Sequence, residues 1–312
     1  MHWIGRGRHI DMTSPRGYYL DLARWSDPRG PVDADGLPVS RADRRTHDPG
    51  EVARYALGNI EIYLEGGSES RRDRVERASV WLADHMEFVP GSFGGWAMPD
   101  PPPAYRDELA PGWLSGAVQG ECVSVLVRAS LLLGVPRALE AAREAFPAFR
   151  TPVDEGGFLR EVGEKGHHEG AIESLALVEQ YAMPERPSMD LLGHVRAVWA
   201  VFDYRRATND DEARRLFERC VSGTEFILDR YDLGYWTRRD LDSRWRGARL
   251  PSTAGILDEA LALEILHEMT GRDAFAEAAR RRRGYAAGLR RRVRASFQRA
   301  AFRLANTGAP RC

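Results

Sequence analysis

Residues 229 to 249 gather chemically capable side chains more densely than any other stretch: Tyr231, Asp232, Tyr235, Trp236, Arg238, Arg239, Asp240, Arg244, Arg246 and Arg249. Guanidinium forks grip carboxylates through paired hydrogen bonds, and aromatic faces stack on sugars and other flat apolar groups. The set suits an anionic ligand, and equally a salt-bridged solvent loop. A second stretch, 179 to 187, holds Glu179, Tyr181 and Arg186 and is stiffened by Pro184 and Pro187. A third holds Gly112, Trp113, Gln119 and Glu121 at the entrance of the apolar run Val123 to Leu133. Polar groups at the mouth of a buried helix are costly to desolvate unless paired. A binding site and an ordinary glycine-rich helix cap both account for them. His194 follows Asp190 by four residues, on one helical face, as a site group or as a satisfied interior histidine. His167, His168 and Glu169 are adjacent, so no regular element aims all three at one ion. There is no HExxH, and the cysteines lack ligand spacing, so no metal or cofactor is expected.

These stretches need helices to position them. Asp48-Pro49-Gly50-Glu51 reads as a helix start, with Asp48 as cap and Pro49 in the first turn. Val52, Tyr55, Ala56, Asn59, Ile60 and Tyr63 continue it at helical spacing until Gly66-Gly67. A second helix is expected from Glu69 to Met86. Residues 90 to 111 read as a loop containing Trp96 and Pro101-Pro102-Pro103. Beyond it, an apolar helix, a tight turn and an amphipathic helix recur around residues 134, 208 and 271, a spacing of about 60 to 75 residues. Residues 152 to 170 read as a glycine-rich loop, and no period-two strand signal stands out after residue 110. The pattern predicts an all-α protein, an incomplete or complete α/α toroid of helical hairpins over 48–304, preceded by an irregular lead-in, 1–47, and followed by a short tail, 305–312. Long loops gathered at one end of such a scaffold form a ligand face.

Composition sets bounds. The 312 residues include 43% hydrophobic and 29% charged residues, in the globular range, and the net charge of −1 gives no basis for a nucleic-acid partner. No signal-peptide apolar region follows Met1, and the run from Val123 to Leu133 is too short to span a bilayer. Cys122, Cys220 and Cys312 are widely spaced and odd in number, which points to a reducing, cytoplasmic setting with Cys122 and Cys220 as core thiols. Arg280 to Arg299 reads as one basic amphipathic helix, a solvated face or a contact for an acidic surface. A homodimer is compatible with all of this.

Taken together, the segments resemble the C-terminal domain of the D-glucuronyl C5-epimerases. The resemblance rests on EVARYALG at 51–58, WLSGAVQG at 113–120, SVLVRA at 124–129, EQY at 179–181 and YDLGYW at 231–236, in the family's order. It implies an α/α toroid that binds an anionic sugar chain. It also implies removal of the proton at C5, beside a carboxylate, and its return on the other face. Such chemistry needs two proton-transfer groups and cations to stabilise the developing charge. The implied catalytic residues are Tyr181, Tyr235, Glu179 and Tyr231. The implied substrate contacts are Trp113, Gln119, Glu121, Arg238, Arg239, Asp240, Trp236 and His194. Gln119, Glu179, Tyr181, Tyr235 and Arg238 are expected to meet at one cavity. The chain departs from the family in three places. Arg239 stands where a tyrosine precedes the aspartate-leucine pair, Leu250-Pro251-Ser252-Thr253 replaces a tyrosine-histidine segment, and Ala182-Met183 intervenes before Pro184. The large β domain of full-length members has no counterpart in the first 50 residues. An epimerase-like enzyme, a lyase on a similar substrate, and a non-catalytic toroid binding a glycan, peptide or protein all follow as readings.

Overall fold

The computed structural model describes residues 5–41, 43–89, 93–168 and 171–306, with backbone alone at 89, 164–168 and 171–173. Glu169, Gly170 and Cys312, and the side chains of His167 and His168, all singled out in the sequence, lie outside the described residues.

The described residues form four helical hairpins in succession: α1 (Pro49–Gly66) with α2 (Glu69–Asp84), α3 (Gly116–Leu133) with α4 (Ala138–Ala145), α5 (Leu191–Thr208) with α6 (Asp211–Ile227), and α7 (Thr253–Thr270) with α8 (Asp273–Ala287). A further helix, α9 (Leu289–Ala305), follows. The odd-numbered helices also pack on each other in series, α1 on α3, α3 on α5 and α5 on α7. Burial follows this layering. Helix α3 is buried continuously from Gly116 to Ala129, whereas α2 buries only the stripe Val75, Ala78, Ser79, Leu82 and Ala83. A helix buried on all sides is apolar around its circumference, and an outer helix is amphipathic.

Each hairpin is punctuated in the same way. Asp48, Ser115, Asp190 and Ser252 cap α1, α3, α5 and α7 by accepting from the backbone N–H three residues on. Gly67, Gly134, Asn209 and Gly271 then end those helices in the left-handed conformation, with φ of 64°, 65°, 54° and 69°. The short turns therefore all lie at the C-terminal ends of the odd helices. The long connections, 85–115, 146–190 and 228–252, all lie at their N-terminal ends.

Several expectations need correction. The second helix stops at Asp84 rather than Met86, and the following loop contains β1 (Glu87–Val89), β2 (Phe93–Gly95), β3 (Ala97–Met98) and β4 (Trp113–Leu114). Residues 152 to 170 are not simply a loop. Strand β5 (Leu159–His168) pairs antiparallel with β6 (Ala171–Val178) and packs on α6. Gly163 and Gly166 gave this stretch the look of a turn, but the register shifts between Val162 and Gly166, so the glycines serve an irregular strand. The basic tail is two helices, broken at Gly288. Helix α3 is longer than the apolar run that announced it. By length and composition it is sufficient to cross a bilayer, yet 78% of its window is buried among the other helices. Within it, Arg128 is fully buried and pairs with Asp203 of α5 at 2.6 Å, and Ser124 and Tyr19 also donate to that carboxylate.

The lead-in is irregular but firmly docked. Tyr18, Tyr19, Leu20 and Leu22 are core residues. The Arg8 N–H donates to Glu61 of α1, Arg128 of α3 donates to the Gly17 carbonyl, Arg206 of α5 donates to the Asp11 carbonyl, and Arg6 pairs with Glu268 of α7. One segment thus fastens all four odd helices near their C-terminal ends. Cys122 and Cys220 are buried free thiols.

Candidate functional site

The N-terminal ends of the odd helices carry the candidate site. Three connections converge there through backbone hydrogen bonds. Ser115 forms a bridge with Tyr181, the Leu191 N–H donates to the Arg239 carbonyl, and the Leu241 N–H donates to the Ser188 carbonyl. Close approach at this junction demands Gly116, where a Cβ would sit 2.2 Å from the Glu179 carbonyl oxygen.

Tyr181 is the centre of the cluster. Its ring stacks on Tyr105 with centroids 4.1 Å apart and lies 5.7 Å from Trp113. Burial pushes its phenol up to about 12; Asp190 and Asp240 add to that, and Arg239 and Arg249 oppose it. Among the described residues its hydroxyl makes no hydrogen bond. Tyr105 is fully buried with an unpartnered hydroxyl. The Arg244 guanidinium lies 4.2 Å from the Tyr105 ring centroid and 4.0 Å from that of Trp245. Asp240 is buried and bonded by Arg249 at 3.0 Å. Burial pushes its carboxyl up to about 6 against the pull of Arg249, with Asp190 raising it further. Arg239 reaches Asp190 at 3.0 Å. Phenol, carboxyl and two guanidiniums therefore share one electrostatic neighbourhood. A 420 Å³ pocket lined by Arg230, Arg238, Asp240, Trp245 and Arg249 opens beside it.

A larger cleft of 980 Å³ lies at the start of α1, between the lead-in and Pro99-Asp100. It adjoins the cluster through Trp113, whose indole N–H donates to the Asp100 carbonyl at 3.0 Å. Arg24, Arg29 and Arg41 line it together with Asp27, Asp43, Asp48 and Glu51.

Of the residues singled out in the sequence, Tyr181, Trp113, Arg239 and Asp240 stand together here, and Arg238 lines the adjoining pocket. The others have different surroundings. Glu179 is buried behind the cluster, where Arg160, Ser188 and the Met189 N–H all bond its carboxylate. Burial raises its pKa, opposed by Ser188 and Arg160. Tyr231 is buried and donates to the Met189 carbonyl at 2.7 Å, so it braces the turn into α5. Tyr235 and Trp236 belong to a separate apolar cluster with Tyr285 and Ala295. The Tyr235 hydroxyl bonds Gln298 of α9, and the Trp236 indole donates to the Pro251 carbonyl. Gln119 is spent on the Gly94 carbonyl at 2.8 Å. Glu121 is gripped by Arg54 of α1 and Arg196 of α5. His194 accepts from the Val178 N–H and meets the Thr224 hydroxyl at 2.8 Å, and burial lowers its pKa to about 4, so it is a neutral structural group. The common cavity expected for Gln119, Glu179, Tyr181, Tyr235 and Arg238 is not formed: Tyr235 sits in another cluster, and Gln119 and Glu179 are consumed by internal bonds.

Sequence reasoning missed Tyr105, Arg54 and Arg196. Tyr105 gave no signal within its proline-rich loop. Arg54 and Arg196 did: an arginine inside an apolar helical run requires a buried carboxylate, and Glu121 was available. Among the described residues no group of three His, Cys, Asp or Glu side chains is arranged to hold a metal.

The family model for the D-glucuronyl C5-epimerase C-terminus matches residues 91–283. The chain is 26% identical over 225 residues to a D-glucuronyl C5-epimerase of Caenorhabditis elegans, covering 65% of this chain and 35% of that protein. It is 29% identical over 132 residues to an uncharacterized protein of Methanocaldococcus jannaschii, covering 42% of this chain and 41% of that one. The chain thus spans well under half the length of either relative. With hairpins α3 to α8 falling almost wholly inside the match, the chain belongs to the D-glucuronyl C5-epimerase C-terminus family.

Proposed function

We propose that this protein is a divergent epimerase-like enzyme that transfers a proton beside the carboxylate of an anionic sugar. Its helical hairpins would form an incomplete α/α toroid over residues 48–304, acting in the cytoplasm. The observation that carries the reading is the pairing of Tyr181, whose phenol stays protonated to about 12, with Asp240, which ionises at about 6. Two neighbouring groups whose proton affinities have been driven apart divide naturally into an acid and a base. Asp240 above pH 6 takes the proton beside the substrate carboxylate, and Tyr181 returns one. Arg239 and Arg249 stabilise the charge that develops between these steps. The cleft beside Trp113 offers room for the rest of a sugar chain. Arg239 in the position of a family tyrosine moves the second proton-transfer role from a phenol to a carboxyl.

A second reading has its own support. The phenol is raised rather than lowered, and the stacked faces of Tyr105, Tyr181 and Trp113 suit sugar binding without turnover. Deuterium incorporation from heavy water into a panel of uronates separates the two. Epimerase-like or lyase chemistry gives label at the carbon beside the carboxylate. Tyr181→Phe and Asp240→Asn should each lower that exchange by about 100-fold or more, and the native rate should decline as pH falls through 6. Saturable uronate binding without label or product would establish the binding reading instead. Full exchange in both variants would remove these residues from the reaction.

A further inference from the structure

Helix α9 begins after the family match ends at residue 283, and its charge and surface differ from those of the rest of the molecule. From Ala278 to Cys312 the chain carries eleven arginines and no acidic residue, which leaves −12 on the preceding part of a chain whose total is −1. Three of these arginines are used internally: Arg281 pairs with Asp229 and Asp232, Arg282 with Glu259, and Arg283 with Glu264. Those on α9 have no acidic partner among the described residues, although Arg291 donates to the Gly284 carbonyl. Among the described residues, Arg290, Arg291, Arg292, Arg294, Arg299 and Arg303 form no ion pair; Arg294 lies over the Tyr235 ring and Arg299 donates to the Pro251 carbonyl.

The helix packs by one narrow face, with Ala295 buried, Phe302 edge-on to Trp245, and Gln298 bonded to Tyr235. At 100° per residue, the opposite face carries Leu289, Val293, Phe297 and Leu304. These are 67%, 46%, 74% and 74% exposed. The stripe is flanked on one edge by Arg290 and Arg294 and on the other by Arg292, Arg299 and Arg303. An outward apolar stripe between two cationic edges matches the amphipathic pattern of helices that lie in a bilayer interface, with apolar side chains among the acyl chains and guanidiniums at the headgroups.

We propose that α9 docks the folded protein on an anionic lipid surface, lying in its plane. Charge decides against the other occupants. A second copy of α9 would set five flanking arginines against five more. A nucleic acid would satisfy the arginines but give Phe297 and Leu304 nothing to bury against. Anionic phospholipid answers both features, at about 1 kcal/mol for each cation held near the surface. The reading is independent of the catalytic proposal, since none of the stripe or flanking residues belongs to the Tyr181 cluster.

The full chain should be sedimented with extruded vesicles of phosphatidylcholine alone, or of phosphatidylcholine containing one-third phosphatidylglycerol, in about 0.15 M salt. The expected result is binding to the anionic vesicles stronger by about tenfold or more than to the neutral ones. Two variants carry the test, Phe297→Ser with Leu304→Ser, and Arg290→Gln with Arg292→Gln and Arg303→Gln. All five side chains are on the surface, so circular dichroism should be unchanged in both, and each should lose most of the vesicle binding. Absence of vesicle binding by the native chain overturns the proposal. So does binding that ignores the Phe297 and Leu304 changes. A solution dimer that dissociates in the Phe297→Ser, Leu304→Ser variant would give the stripe to a second copy. Preferential retention on duplex DNA, unaffected by that variant, would give the arginines to a nucleic acid. Either result also overturns the lipid assignment.

Discussion

Asp240 and Glu179 are both buried acids within reach of arginine, yet their surroundings assign them different work. Glu179 has both oxygens engaged by three donors, whereas among the described residues Asp240 accepts a side-chain bond from Arg249 alone. A carboxylate saturated by donors holds structure, and one with acceptor capacity to spare can exchange a proton. Sequence spacing did not reveal this difference, because donor count depends on connections folded together from distant positions. The same holds for His194, four residues from Asp190 but turned towards Val178 and Thr224. Its neutral form is the folded one. The depressed pKa of about 4, against 6.5 in the open chain, means that His194 favours folding above pH 6.5 and loses that advantage as pH falls towards 4. The loss should reach about 3 kcal/mol. Urea unfolding at pH 7.5 and pH 4.5 should show a smaller acid loss for His194→Gln than for the native chain; equal losses would place the acid sensitivity elsewhere. Tyr181, Arg239, Asp240 and Trp113 were legible because loops rich in phenol and guanidinium stood out in composition. Tyr105 was not, since nothing in Pro103-Ala104-Tyr105 distinguishes a stacking partner from a spacer.

The elements were more legible than the site, because their signals are local. A capping side chain, an apolar run and a left-handed glycine or asparagine recur in all four hairpins, and each can be read within about 20 residues. The β5–β6 hairpin escaped because its glycines weaken alternation and its register slips at Val162. Capping has a measurable cost. Asp190→Ala should lower stability by about 1 kcal/mol for the lost cap alone, and by more because the ion pair between Asp190 and Arg239 is also lost. Ser252→Ala, exposed and without an ion pair, should lose only the capping part. Comparable urea midpoints for the two variants would show that the Arg239 pair contributes nothing. Close packing gives a second handle. Gly116→Ala drives a methyl group into the Glu179 carbonyl. It should displace the 179–187 connection from α3, and with it the Tyr181 ring, read as a change in tyrosine environment by near-ultraviolet circular dichroism.

Across the whole molecule, charge is distributed by layer. Arg128 and Asp203 are fully buried between α3 and α5, and Arg206, Ser124 and Tyr19 also bond the Asp203 carboxylate. Removing one member of such a cluster strands the other charge, so Arg128→Met should cost about 3 to 5 kcal/mol in an unfolding titration; a cost below 1 kcal/mol would show the cluster to be dispensable. The hairpin architecture was foreseeable from repeated punctuation, but the docking of the first residues was not, since it depends on partners spread over the entire sequence. That docking has a consequence for how the protein is made. Arg6 meets Glu268 across a sequence separation of 262 residues. Contacts so distant along the chain pay the full entropy of loop closure before they return anything. The segment that leaves the ribosome before the hairpins must therefore wait, with Tyr18 and Tyr19 uncovered, until α5 has been synthesised and supplies Trp199 and Asp203; the Arg6 pair closes later still, on α7. During translation those side chains are the exposed adhesive of an unfinished protein, and the time needed to reach α5 sets how long chaperones have to shield them.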